Sequence, residues 1–71
     1  MDDQTMEFKD KVLYIRAKLN ISQTELANKL NVSFSTINRW ETGKAMPTRK
    51  AILAFDLFCK DNEIVIDESE N

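Results

Sequence analysis

The side chains best equipped for chemistry gather in one stretch, NVSFSTINRWETGK, Asn31–Lys44. At ~100° per residue along a helix, Ile37 and Trp40 share one face, and Ser35, Asn38, Arg39 and Thr42 fall roughly opposite. Phe34 and Thr36 sit on the two borders. These residues offer hydrogen bonding. The hydroxyls and the amide both donate and accept, and the Arg39 guanidinium is a planar fork of donors suited to two acceptors in one plane. A helix that is apolar beneath and polar outside presents a recognition surface.

Other chemistries find little support. The chain has no histidine and one cysteine, so no intrachain disulfide forms and no metal site of several Cys or His ligands can be assembled. No carboxylates pair on one predicted face, and no Gly-rich loop could cradle a phosphate. Cys59 lies on an apolar row, which reads as core rather than nucleophile. The expectation is a protein that is not an enzyme and uses no metal, cofactor or small-molecule ligand. The start, MDDQTMEFKD, has neither the basic opening nor the apolar run of a signal peptide, and no stretch approaches a membrane span of ~20 apolar residues. A cytoplasmic location with no membrane partner is therefore expected.

The net charge of −2 hides a division. Residues 1–10 carry four acids and one base, and residues 61–71 carry five acids and no base. Residues 11–60 carry nine bases against three acids, a balance of +6. That middle is either an ordinary solvated surface or a positive patch for phosphates.

Seventy-one residues make a single domain, 1–71, with four predicted helices at about 6–19, 22–30, 33–42 and 48–60. The fold class is all-α, a compact four-helix domain. In the first helix Phe8, Val12, Ile15 and Leu19 recur at helical spacing, with Leu13 and Ala17 widening the stripe. Asn20 suits the left-handed position beyond its end. SQTE (Ser22–Glu25) is a capping box opening the second helix, with Leu26, Ala27 and Leu30 facing inward. Ser33 and Thr48 cap the third and fourth helices, and Gly43 closes the third. Ile52, Phe55 and Cys59 form a row on the fourth, broadened by Ala51, Leu57 and Phe58. In the tail, residues 61–71, the β-branched Ile64, Val65 and Ile66 suggest a short strand at 63–67, a fifth element.

Only Asn31 and Val32 separate the second helix from the cap of the third. So tight a link makes the two helices cross steeply, as in a helix-turn-helix unit. Ala27 is then small because the third helix crosses close to it. Glu41 falls at the edge of the buried side, which is costly for a carboxylate without a partner. Arg16 on the first helix is the nearest cation, so an Arg16–Glu41 ion pair is expected.

These features lead to a resemblance. SQTELANKLNVSFSTINRWETGKAMP resembles the helix-turn-helix of the Cro/C1-type (phage repressor-like) DNA-binding family. The match lies in Ser-Gln opening the second helix, Glu-Leu-Ala within it, Val-Ser before the third, Ile37, Trp40-Glu41, Gly43-Lys44 and Pro47. YIRAKLNIS fits the family's first helix, with Arg16 where the family often has Arg. About residues 10 to 59 are covered. Asn20 and Asn31 depart from the family's usual Gly, and Asn is the best non-Gly substitute there. Phe34 stands where some members carry a polar base-reading residue.

The resemblance and the chemistry together imply a repressor-like domain that binds double-stranded DNA sequence-specifically as a transcriptional regulator, a repressor. The third helix would enter the major groove. Phe34, Ser35, Asn38 and Arg39 become the base contacts, with Arg39 bidentate to guanine and Phe34 against thymine methyl groups. The alternatives are a border Phe34 packed on the second helix and a solvated Arg39. Gln23, which the family uses on the DNA backbone, joins Thr36, Lys44, Arg49 and Lys50 as phosphate contacts. A homodimer is expected, joined through the 63–67 strand or the apolar end of the fourth helix; the strand could instead cover its own domain's core. The rival reading is a protein-binding module or an antitoxin-like component on the same scaffold.

Overall fold

The computed structural model describes residues 6–65. Four helices follow in order: α1 (Phe8–Leu19), α2 (Gln23–Leu30), α3 (Phe34–Thr42) and α4 (Arg49–Asp61). The polar residue before each of the last three supplies its start. Ser22, Ser33 and Thr48 have extended backbones, and each accepts a hydrogen bond from the amide three residues on. At α2 the box is complete, because the Ser22 amide also donates to Glu25 Oε1 at 2.8 Å. Each cap satisfies an amide that lacks a partner within its helix.

The four helix ends share one geometry. The amides of Ile21, Val32, Lys44 and Ile64 reach back five residues to the carbonyls of Arg16, Ala27, Arg39 and Cys59. Within each reversal the preceding residue has a left-handed backbone: Asn20 (φ 56°), Asn31 (φ 59°), Gly43 (φ 77°) and Glu63 (φ 57°). This is the Schellman stop, in which one left-handed residue lets the chain turn back and satisfy the last carbonyls. Asn and Gly tolerate that conformation; Glu63 has no such excuse, and its place in the chain follows from what comes next.

Ile64 is 7 % exposed and joins the core. The expected strand is therefore corrected at residues 63–65, where the chain forms the α4 stop and a short coil. Residues 66–67 of that expectation lie outside the described residues. β-Branched side chains favour strands only where a sheet can receive them. Here the hydrophobic contact that accompanies a Schellman stop claims Ile64 instead.

The core contains Val12, Ile15, Leu26, Ala27, Leu30, Ile37, Trp40, Phe55, Cys59 and Ile64. α3 packs on both α1 and α2, and α2 also packs on α4. Phe8 meets Trp40 and Phe55 edge-on, with ring centroids 5.2 Å and 5.0 Å apart, a preferred aromatic geometry. Two expectations of burial fail. Leu13 and Ala17 on α1 are exposed, as are Ile52 and Leu57 on α4. Four short helices cover only a narrow stripe of one another, so border positions stay wet. Cys59 is core, and its thiol is pushed above its ordinary pKa by burial and by the Asp56 charge, against a smaller opposite pull from Lys11. Such a thiol is a poor nucleophile.

Candidate nucleic-acid interface

The turn between α2 and α3 sets the site. Asn31 takes the left-handed conformation, the Val32 amide closes on Ala27 at 2.9 Å, and Ser33 starts α3 at once. Ala27 is 2 % exposed beneath the crossing. α3 is thereby pressed onto the domain by Ile37 and Trp40, 0 % and 4 % exposed. The opposite side of α3 faces outward, while Thr36 and Glu41 on the borders are half-buried.

Phe34, Ser35, Asn38, Arg39 and Thr42 are all exposed. At ~100° per residue they occupy one unbroken arc of about 140°, and Thr36, Ile37, Trp40 and Glu41 fill the remainder. Phe34 is 52 % exposed, so it is a surface aromatic rather than a border core residue. The Arg39 guanidinium has no hydrogen-bond partner among the described residues, and Arg39 lines a groove with Thr36, Ala45, Met46 and Thr48. Thr42 is turned back onto its own helix, its Oγ1 donating to the Asn38 carbonyl at 3.0 Å. Thr36 shares a hydrogen bond with the Ser33 hydroxyl at 2.9 Å.

Behind this arc runs a polar chain joining three helices. Arg16 grips Glu41 with both arms of its fork: Nε donates to Oε2 at 2.7 Å and Nη2 to Oε1 at 3.0 Å. Its third arm donates to the Ile21 carbonyl at 3.2 Å. The Glu41 side chain is 6 % exposed and that of Arg16 24 %. Burial alone would push the Glu41 carboxyl up. Hydrogen bonds from Arg16 and Gln23, with the Arg16 charge, outweigh it and hold the carboxyl below its ordinary value. The hydrogen bond to Glu41 likewise raises Arg16, against a smaller cost of burial.

Gln23 Nε2 donates to Glu41 Oε1 at 2.8 Å and to Asn38 Oδ1 at 3.3 Å. An ionised carboxylate only accepts, so Glu41 fixes which way the Gln23 amide points. Gln23 in turn fixes Asn38, whose oxygen faces inward and whose NH2 is left for the outside. This link was not foreseen from the residues alone. Both Gln23 N–H groups are committed within the domain, which leaves its oxygen, an acceptor, as the outward-facing atom. The only available signal was the Gln at the first position of α2, read there as a backbone contact.

Lys44, Arg49 and Lys50 are exposed. Lys44 follows Gly43 at the end of α3, and Arg49 and Lys50 open α4. Lys50 shares a groove with Asn31 and Val32, which brings the start of α4 beside the α2–α3 turn. Cations therefore flank the α3 arc. Among the described residues no group of three or more His, Cys, Asp or Glu side chains is placed to hold a metal, and no helix is long and apolar enough to cross a membrane.

Two helices crossed through a two-residue turn, the second held out by its apolar face, define a helix-turn-helix domain. Residues 12–56, more than half of the chain, match the family model described as helix-turn-helix, and the chain belongs to that family in its Cro/C1-type form, a family of DNA-binding domains in transcription regulation. It is similar to the HTH-type transcriptional activator BcrR of Enterococcus faecalis, 35% identical over 63 residues. The match covers 89% of this chain and 29% of that protein, so the chain spans under a third of its relative's length. No solved structure matches.

Proposed function

We propose that this domain binds duplex DNA sequence-specifically by laying α3 in the major groove. The observation that carries the reading is the continuous exposed arc Phe34–Ser35–Asn38–Arg39–Thr42, backed by a locked polar chain, with Lys44 at the end of α3 and Lys50 beside the α2–α3 turn. The major groove admits one α-helix and shows each base pair as a distinct pattern of donors and acceptors. Arg39, forked and without a partner among the described residues, fits guanine O6 and N7. Asn38, with its oxygen held by Gln23, offers donors outward and so suits the acceptor edges of guanine or thymine. Ser35 reaches a base edge or a phosphate, and Phe34 meets thymine methyl groups. Lys44, Lys50, Arg49 and Thr36 serve phosphates, which position the domain without carrying sequence information. Gln23, with both N–H groups committed, reaches a phosphate only by releasing Asn38 or Glu41; it otherwise acts by orienting Asn38.

The repressor expected from the sequence and the activator named in the relative share this DNA-reading step, and the proposal commits to the step. The test is selection of bound sites from random duplex, followed by titration at low and moderate salt. Each phosphate neutralised contributes about −0.9 to the slope of log K against log salt. Arg39→Ala should erode preference at one position of the selected site, by about 1–3 kcal/mol. Full site preference in Arg39→Ala, or binding that ignores salt, would overturn the proposal.

A further inference from the structure

Four side chains pass one direction of hydrogen bonding from the inside of the domain to the outer face of α3. Arg16 has donors only, and the Glu41 carboxylate that it grips has acceptors only. Gln23 and Asn38 each carry both, so either amide could in principle point either way. Their setting removes that choice. Gln23 Nε2 stands 2.8 Å from Glu41 Oε1, and a reversed amide would set oxygen against oxygen there. The same Nε2 stands 3.3 Å from Asn38 Oδ1, and a reversed Asn38 would set NH2 against NH2. Asn38 is exposed and is held with its oxygen towards α2 and its NH2 outward.

Stability does not account for the last link. Glu41 already takes two hydrogen bonds from Arg16. The Gln23–Asn38 bond lies at the surface, where water serves both groups nearly as well and the net gain is small. What the bond does is choose the atoms that Asn38 shows to a ligand. The ordinary partner of asparagine in the major groove is adenine, read with oxygen and NH2 side by side against N6 and N7. With the oxygen drawn back to Gln23, only donors reach the groove. They suit the keto oxygens of guanine (O6) and thymine (O4), and they oppose the amino groups of adenine (N6) and cytosine (N4).

We infer that Gln23 is a positioning residue that sets base preference: it holds Asn38 as a donor, so the domain selects a keto base, guanine or thymine, where an unheld asparagine would take adenine. The inference rests on the proposed function and deepens it. It moves Gln23 from the DNA backbone to the reading of sequence, and it extends that reading through Glu41 to Arg16 on α1. The two roles for Gln23 predict different losses. A lost phosphate contact weakens every duplex alike. A lost hold on Asn38 changes which base is chosen at one position.

The test has two arms, both on the 71-residue chain. In the free protein, nitrogen-15 relaxation of the side-chain amides reads the hold without DNA. Asn38 Nδ2 should be ordered in the wild type and should fall below an order parameter of about 0.6 in Gln23→Met, which keeps the side-chain length and removes both donors. With DNA, sites are selected from random duplex by the wild type, Gln23→Met and Asn38→Ala. Asn38→Ala marks the position that Asn38 reads, as the one where preference vanishes. There the wild type should favour guanine or thymine over adenine about tenfold. Gln23→Met should lose that margin and take adenine, with the other positions unchanged. Arg16 and Glu41 stay paired in this variant, so the fold persists. An Asn38 amide already mobile in the free wild type, a wild type that takes adenine at that position, or a Gln23→Met variant that weakens on all duplexes alike with its preference intact would each overturn the inference alone. A wild type that selects no site overturns the proposed function, and the inference with it.

Discussion

Replacing Arg16 should harm the domain more than replacing Glu41, although the two residues share one ion pair. Arg16→Met keeps most of the side-chain length and removes the charge. The Glu41 carboxylate, 6 % exposed, is then left with only the Gln23 amide. Removing one partner of a buried pair costs ~3–5 kcal/mol. The solvent edge of Arg16 and the remaining Gln23 bond place this site at the lower end, about 3 kcal/mol. For a domain of this size that is a fall in melting temperature of roughly 18 °C, at about 6 °C per kcal/mol. Glu41→Gln leaves the Arg16 charge, which has 24 % of its side chain in water. It should cost only about 1–1.5 kcal/mol, or roughly 8 °C. The double variant Arg16→Met/Glu41→Leu should lie closer to wild type than Arg16→Met does, because no charge remains buried. The pH dependence has a definite sign. In the wild type the Glu41 carboxyl titrates below its ordinary value of about 4.5. Its contribution is fully present above that value and is lost as pH falls through the lower, folded-state value. In Arg16→Met only the Gln23 hydrogen bond still opposes burial, so the gap between the two proteins should narrow as pH drops below about 4.5. Thermal melts followed by circular dichroism at pH 7 and pH 3.5 measure all of this. Equal losses for both single variants, or a gap that ignores pH, would refute the reasoning.

Glu63→Gly should raise the melting temperature by about 3–6 °C, because it relieves a left-handed Glu worth ~1 kcal/mol net of the flexibility that glycine adds to the unfolded chain. Gly43→Ala should lower it by a similar amount, and through the backbone alone, since an added Cβ would meet Lys9 only at an ordinary 3.8 Å. Phe34→Ala should leave the melt within about 0.5 kcal/mol, as expected for a surface residue, and lower affinity for the selected DNA site in a fluorescence titration. Lys44→Ala should weaken binding to all duplexes alike and flatten the salt slope by about 1, checked by titrations at three ionic strengths.

The helices were readable from the residues because their signals are local. Ser22, Ser33 and Thr48 announce starts, Asn20, Asn31 and Gly43 announce stops, and each observed boundary lies within two residues of the one expected. The crossing of α2 and α3 was readable from the two-residue link. The depth of each position was less so. Periodicity assigns Leu13, Ala17, Ile52 and Leu57 to apolar faces, but whether a neighbour covers them depends on how wide the neighbour is. The tail misled for a related reason: Ile64 has strand propensity, yet the nearest surface able to receive it is the domain's own core. At the site, the outward arc of α3 followed from spacing. The Gln23–Asn38 link did not, because it joins the first turn of α2 to the middle of α3 with an amide oriented by Glu41, itself held by Arg16 of α1, and no spacing rule reports a contact among three helices.

The four Schellman stops bear on how the chain reaches its folded shape. Each reversal is specified within six consecutive residues and satisfied by backbone groups of that same segment. A newly formed helix can therefore seal its own end before it finds a neighbour. Assembly is then the docking of preformed pieces, with few distant contacts needed at the rate-limiting step, the regime in which small helical domains fold in microseconds to milliseconds.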